Sequence, residues 1–200
     1  MFSKIRMAAV AAGSSLAMLA AVAPSAHAGL LSLATGPCGQ QEYQPFAGDS
    51  NYYVQVPGGT FESGSQPWLL TKGAKVVSGG AYHGSRSLSL PAGSSATSPP
   101  ACTGIDHPSM RFFVRNTGSS TGRLRVYGTY PLLLGLPLTV DLGSVSGTGT
   151  WEPSSPVQIG LLNNTLGSLT LSKSTISFTF VPSGGNWQID DVYLDPYHRY

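Results

Sequence analysis

Charge is scarce in this chain: Asp, Glu, Lys and Arg make up only 10% of its 200 residues. That excludes a coiled coil, a solvated charged helix and an acidic or basic tail. Of the eleven Lys and Arg, Lys4 and Arg6 stand at the very start, which leaves nine against nine Asp and Glu in the remainder. A balanced body of this kind gives no electrostatic case for nucleic acid or an anionic membrane as partner. Helical periodicity is also missing, apart from a turn or two around residues 161–169. Reactive signatures are scarce too: there is no zinc-binding His-Glu-x-x-His, phosphate loop or dinucleotide fingerprint. The apolar stretch Tyr130 to Val140 is short and broken by Pro131, Gly135 and Pro137, so no membrane insertion is expected.

One long apolar run does exist. Lys4 and Arg6 precede an alanine-rich segment, Met7 to Ala23, followed by Pro24 and Ala26-His27-Ala28. This order of basic, apolar and small residues is that of a secretory signal peptide covering residues 1–28, with cleavage after Ala28. The product is expected to be secreted or extracellular, without a lipid or C-terminal anchor. Residues 29–50 read as a Gly-, Pro- and Gln-containing lead-in, and residues 51–200 as one domain. Cys38 and Cys102 are the only cysteines. In an exported chain they are expected to pair, pinning the lead-in to the body.

Short alternating segments fill the body. Asn51 to Val56, Trp68 to Leu70, Ala74 to Val77, Ser87 to Leu90, Met110 to Arg115, Arg123 to Thr129, Pro137 to Leu142 and Val157 to Ile159 read as strands, separated by Gly- and Pro-rich turns. Two hairpins are expected, one from Met110 to Thr129 around the loop Asn116 to Gly122, the other from Thr175 to Leu194 around Pro182 to Asn186. On a regular last strand, Asp190 would share a face with Val192 and Leu194, and Asp191 would point the other way. An inward carboxylate needs hydrogen bonds, a partner or a metal. The fold class expected is all-β, a two-sheet antiparallel jelly-roll sandwich.

Three stretches in order carry a resemblance: Gly58-Gly59-Thr60-Phe61-Glu62-Ser63-Gly64 with Trp68, then Gly84 to Leu90, then Trp187 to Leu194 with its Ile-Asp-Asp-Val. Together they resemble the galactose-binding-like jelly rolls of secreted carbohydrate-binding modules, and the phrases GSSATSPPAC, HPSMRFFVRNTG and WQIDDVYLDPY resemble a group of exported bacterial proteins of unknown function. The first resemblance implies a structural calcium joining the first and last strands through Glu62 and the Asp190-Asp191 pair, with the Thr60 carbonyl as a further ligand. Parity selects Asp190, and calcium takes oxygen ligands of this kind. The alternative is an aspartate held by backbone amides or a basic side chain.

For a ligand, Arg111, Arg115, Arg123, Arg125 and Tyr127 alternate with the apolar Phe112, Val114, Leu124 and Val126, and paired as a hairpin they would form one face. Guanidinium forks and a stacking ring suit an acidic glycan; the alternative is a solvated sheet face. Trp68 and Trp187 are expected in the core, whereas Trp151 is either core or a sugar platform. His83 and His107 are lone histidines in polar loops and are expected to be exposed; with Asp106 they could join a serine triad only by coincidence of fold. The functional expectation is a non-catalytic protein binding glycan or cell-envelope polysaccharide. Its alternatives are a structural or protein-interaction domain without a sugar site, and a polysaccharide-active enzyme.

The bridge between Cys38 and Cys102 would close a 64-residue loop, worth roughly 4 kcal/mol by chain entropy. Intact-mass measurement after alkylation without reductant is expected to find no labelled thiol. Two labelled thiols in folded, exported protein would overturn the pairing.

Overall fold

A computed structural model describes residues 38, 43–46, 49, 51–104, 106–119, 121–131, 136–159 and 174–199. The expected signal peptide and the expected helical turn around residues 161–169 lie outside the described residues. All described regular structure is β, in fourteen strands: β1 (Tyr43–Pro45), β2 (Asn51–Gln55), β3 (Leu69–Thr71), β4 (Lys75–Ser78), β5 (Arg86–Leu90), β6 (Ser95–Thr97), β7 (Ala101–Thr103), β8 (Ser109–Asn116), β9 (Arg123–Pro131), β10 (Pro137–Val145), β11 (Glu152–Pro153), β12 (Val157–Gln158), β13 (Ser174–Ser183) and β14 (Trp187–Arg199). No described helix is long and apolar enough to cross a membrane.

The strands divide into two antiparallel sheets. In the first, β14 is central: β8 lies along one side of it, carrying β11 and β12, and β5 and β2 follow one another along the other, extended by β4 and β1. The second runs β10-β9-β13-β6-β3, with β7 also on β13. Between them lies one core in which period-two alternation is plain. Phe112 and Val114 of β8, Leu124 and Val126 of β9, Ile176, Phe178 and Phe180 of β13, and Trp187 and Ile189 of β14 are all fully buried together. Trp68 joins them, its ring 5.1 Å from that of Phe61 and its indole N–H donated to the Pro57 carbonyl.

Neither expected hairpin forms, and the reason is the same for both. β8 belongs to the first sheet and β9 to the second; β13 belongs to the second and β14 to the first. All four strands turn large apolar side chains to the same core. The chain accommodates this by crossing from sheet to sheet, as consecutive strands of a sandwich do when their apolar faces must oppose one another. The two crossings pack together at one end. The Thr117 amide donates to the Asn186 carbonyl at 2.8 Å, and Gly118 and Gly122 lie against Gly185 and Gly184 so closely that a Cβ on Gly122 would stand 2.2 Å from the Gly184 oxygen. The lead-in also differs from expectation: it supplies β1, which pairs with β2. Cys38 is bonded to Cys102 of β7, the Cα atoms 5.0 Å apart, a separation ordinary for a disulfide.

Backbone against backbone leaves no room for a side chain at the crossing. Gly122→Ala is therefore expected to destabilise the fold by about 1–3 kcal/mol, read as a fall in Tm in a thermal melt. A Tm equal to that of the parent would show that the crossings are free to move apart.

Candidate functional site

The site begins with a change of phase in β14. Asp191 has φ 49°, left-handed and not glycine, and the register with β8 shifts between Asp190 and Tyr193. This is a β-bulge. It puts Val192 and Leu194 in the core with Trp187 and Ile189, so the parity expected for a regular strand fails: Asp190 does not share the core face of Val192 and Leu194. Both aspartates are buried instead and engage one loop. Asp190 Oδ2 accepts the amides of Tyr82 (2.9 Å) and His83 (3.3 Å), Oδ1 accepts the Asp191 amide, and the Asp191 carboxylate contacts His83 Nδ1. Opposite the bulge, Gly59 is required: its carbonyl accepts the Val192 amide at 3.2 Å, the Val56 amide donates to the Val192 carbonyl at 2.9 Å, and a Cβ on Gly59 would meet that carbonyl at 2.8 Å.

Glu62 holds the next residues of that loop. Its carboxylate accepts the Ser85 and Arg86 amides at 2.9 and 2.8 Å and the Ser85 hydroxyl at 2.9 Å. These donors, the Arg86 amide foremost, hold its pKa below the usual carboxylate value. Three acids thus clamp the segment Tyr82 to Arg86. For the calcium expectation, the donors are of the right chemistry but are committed elsewhere. One oxygen of Glu62 and one of Asp190 each accept two amides, and the two carboxylates serve different stretches of the loop. Among the described residues no group of three or more Asp, Glu, His or Cys side chains is arranged to hold a metal ion. This donor set does not fit a calcium shared by Glu62 and Asp190.

The clamped loop leans over the outer face of the first sheet. Arg111, Phe113 and Arg115 of β8 point outward there, and the Tyr82 ring stacks on Phe113 with centroids 3.4 Å apart and planes 13° from parallel. Phe113, Tyr193, Tyr53 and Phe46 form a second small apolar cluster outside the main core, with Trp151 against it. Phe46 arrives from the lead-in and is fastened by Arg111, whose guanidinium lies 4.9 Å from its ring and bonds Asp49 at 3.1 Å. Tyr53 donates its hydroxyl to the same carboxylate at 2.9 Å. This half of the face is covered.

The other half is open. Trp151 stands at its rim, its indole N–H donated to the Gly80 carbonyl at 2.8 Å. The Arg115 guanidinium lies 4.9 Å from the Trp151 ring and its Nε donates to Gln188 at 2.6 Å. Tyr82 is 37% exposed, and the His83 side chain 67%. Two aromatic rims, an imidazole and polar side chains therefore border a floor of sheet, the kind of surface on which a sugar ring can stack and hydrogen-bond.

The five residues expected to share one patch are divided. Arg111 and Arg115 lie outside the first sheet, whereas Arg123, Arg125 and Tyr127 lie outside the second, on the opposite side of the sandwich. The inside-outside parity is as expected, but because the strands sit in opposed sheets, "outside" means opposite directions. Arg125 is paired with Asp141 and lies 5.4 Å from the Tyr127 ring. Arg123 donates to the Gly122 carbonyl. His107, expected to be exposed, is buried beside Asp106, and Cys102 is no free thiol. Tyr82, Gln188 and Gly80 were not singled out from sequence; the one available signal was an aromatic between the Gly79-Gly80 and Gly84 turns.

No protein-family model matches the sequence, and no curated protein matches it. Solved structures share the fold. The CBM22-1–GH10 modules of Clostridium thermocellum endo-1,4-beta-D-xylanase 10B, complexed with xylohexaose, match over 72% of this chain and 29% of that one, at 15% identity and TM-score 0.55. The CBM22-1 xylan-binding domain of Paenibacillus barcinonensis Xyn10C matches over 74% and 97%, at 14% identity and TM-score 0.49. TmCBM61, in complex with beta-1,4-galactotriose, matches over 76% and 100%, at 18% identity and TM-score 0.41. The fold is the jelly roll of carbohydrate-binding modules, as the three sequence stretches implied.

Burial and the charge of Asp191 push the Asp190 pKa up to about 7, and burial also raises that of Asp191. A carboxylate whose pKa is raised on folding contributes stability that is fully present below its unfolded value, near 4, and is lost as pH rises through the folded one. Tm is therefore expected to fall between pH 5 and pH 8, and Asp190→Asn to flatten that slope. A parent Tm that rises over this interval would contradict the burial of the pair.

Proposed function

We propose that this protein binds glycan chains on the open half of the first sheet's outer face, without catalysing a reaction on them. The observation that carries the reading is the pair of aromatic rims, Tyr82, whose amide is held by the Asp190 carboxylate, and Trp151, whose indole is held by the Gly80 carbonyl, beside a floor of half-buried polar side chains. Such fixing removes part of the ordering cost of binding. A binding rather than a catalytic role is supported by how the acids near this face are used: Glu62, Asp190 and Asp191 hold the Tyr82–Arg86 loop and leave no pair of carboxylates to flank a glycosidic bond. The xylohexaose and beta-1,4-galactotriose named for the structures above belong to the ligand class that this surface would accept. Secretion fits the same reading. Glycan polymers lie outside the cell, and a disulfide suits an oxidising compartment.

A glycan array carrying xylan, galactan and bacterial envelope polysaccharides is expected to give binding that Tyr82→Ala and Trp151→Ala each weaken about tenfold, roughly 1.4 kcal/mol. Arg125→Ala, on the far side of the sandwich, should leave it unchanged. Binding that survives both aromatic substitutions would remove this face from consideration.

A further inference from the structure

The register of the first sheet aligns four outward residues in one rank across its strands. Lys75 of β4 faces Ser89 of β5, Ser89 faces Gln188 of β14, and Gln188 faces Arg115 of β8. The rank points outward because Leu88, Leu90, Val114, Trp187 and Ile189, which alternate with it along their strands, are in the core. Its two ends carry positive charge. Three interstrand steps separate them, about 14 Å. Neither is neutralised: the ion pairs of the described residues involve His83, His107, Arg111 and Arg125, and neither Lys75 nor Arg115. Arg115 is also held in place. Its Nε is fixed by Gln188, its plane lies beside Trp151, and Gly80, at φ 67°, leaves a gap that a Cβ would close to 2.9 Å from Nη2. The acids beneath this face, Asp190 and Asp191, are buried under the Tyr82–His83 loop. Lys75 stands at the sheet edge, where it lines a groove with Ser65 and Arg86.

We propose that this rank selects an acidic polysaccharide, a uronate polymer lying across strands β4, β5, β14 and β8, with carboxylates meeting Arg115 and Lys75 and sugar hydroxyls meeting Gln188 and Ser89. The proposal rests on the glycan-binding reading of the same face and specifies its ligand. A fixed guanidinium suits a carboxylate bidentately, while a lysine at the far end acts as a mobile point charge. Two cations on one line favour a repeating polyanion over a single acidic sugar.

The test is affinity electrophoresis and calorimetry of the full disulfide-bonded protein with polygalacturonate, polyglucuronate and alginate. Each is set against its carboxyl-reduced counterpart, which keeps the linkage and loses the charge. At least one polyuronate is expected to bind about tenfold more tightly than its reduced form in dilute buffer, with the difference shrinking at 0.5 M NaCl as the Debye length shortens. Arg115→Gln and Lys75→Gln should each reduce the difference about threefold or more; melting curves check that both variants fold. Equal binding of the charged and reduced polymers, still weakened by Trp151→Ala, would overturn the acidic selectivity and leave the glycan site standing. No binding to any polyuronate, or binding indifferent to Arg115 and Lys75, would overturn the proposal, and indifference to Tyr82→Ala and Trp151→Ala as well would overturn the site itself.

Discussion

β14 serves neighbours on both of its edges, and it does so by changing phase at Asp191. Without the bulge, the alternation that buries Trp187 and Ile189 would carry Asp191 and Tyr193 inward and expose Val192 and Leu194. A left-handed non-glycine residue costs about 1–2 kcal/mol. Here it is offset by the hydrogen bonds that meet at the bulge: the Val192 amide and carbonyl with Gly59 and Val56, and the two carboxylates with Tyr82 and His83. Core and surface are therefore set by one irregularity. The same step that keeps apolar residues inside brings two acids to the loop that positions Tyr82 over Phe113.

Much of this was legible in the residues. Alternation gave the inner and outer sets of β8, β9 and β13, and the core positions of Trp68 and Trp187 followed from the motifs that contain them. Parity, however, fixes only inward against outward. It does not say to which sheet a strand belongs, so Arg115 and Arg125 could look like neighbours while standing on opposite sides of the molecule. The bulge was hidden for a related reason. Asp191 carries no glycine to announce a left-handed turn, and the groups that stabilise it lie about a hundred residues earlier in the chain. The site was hard to see because its aromatics come from short, glycine-rich connections, where no periodicity exists to place a side chain.

The arginines show how little residue type alone decides. Arg111 fastens the lead-in across the sheet through Asp49 and Phe46, Arg125 is paired with Asp141, and Arg123 caps its own corner. Arg115, with the same sequence neighbourhood, is oriented by an amide side chain and an indole and keeps its charge for the solvent side. The cover built by Arg111 and Phe46 also gives the open half of the face a wall, so that the surface has an end as well as a floor.

The position of β14 in the chain has a kinetic consequence. The strand around which the first sheet is built follows all the other described strands in chain order, and its pairings reach back as far as Asn51 and Tyr52. Until residues 187–199 are available, β2, β5 and β8 have no common partner, and the apolar residues of both sheets lack half of their enclosure. Loop closure over such separations is slow. Completion of the first sheet must therefore wait for β14, however early the other strands become available.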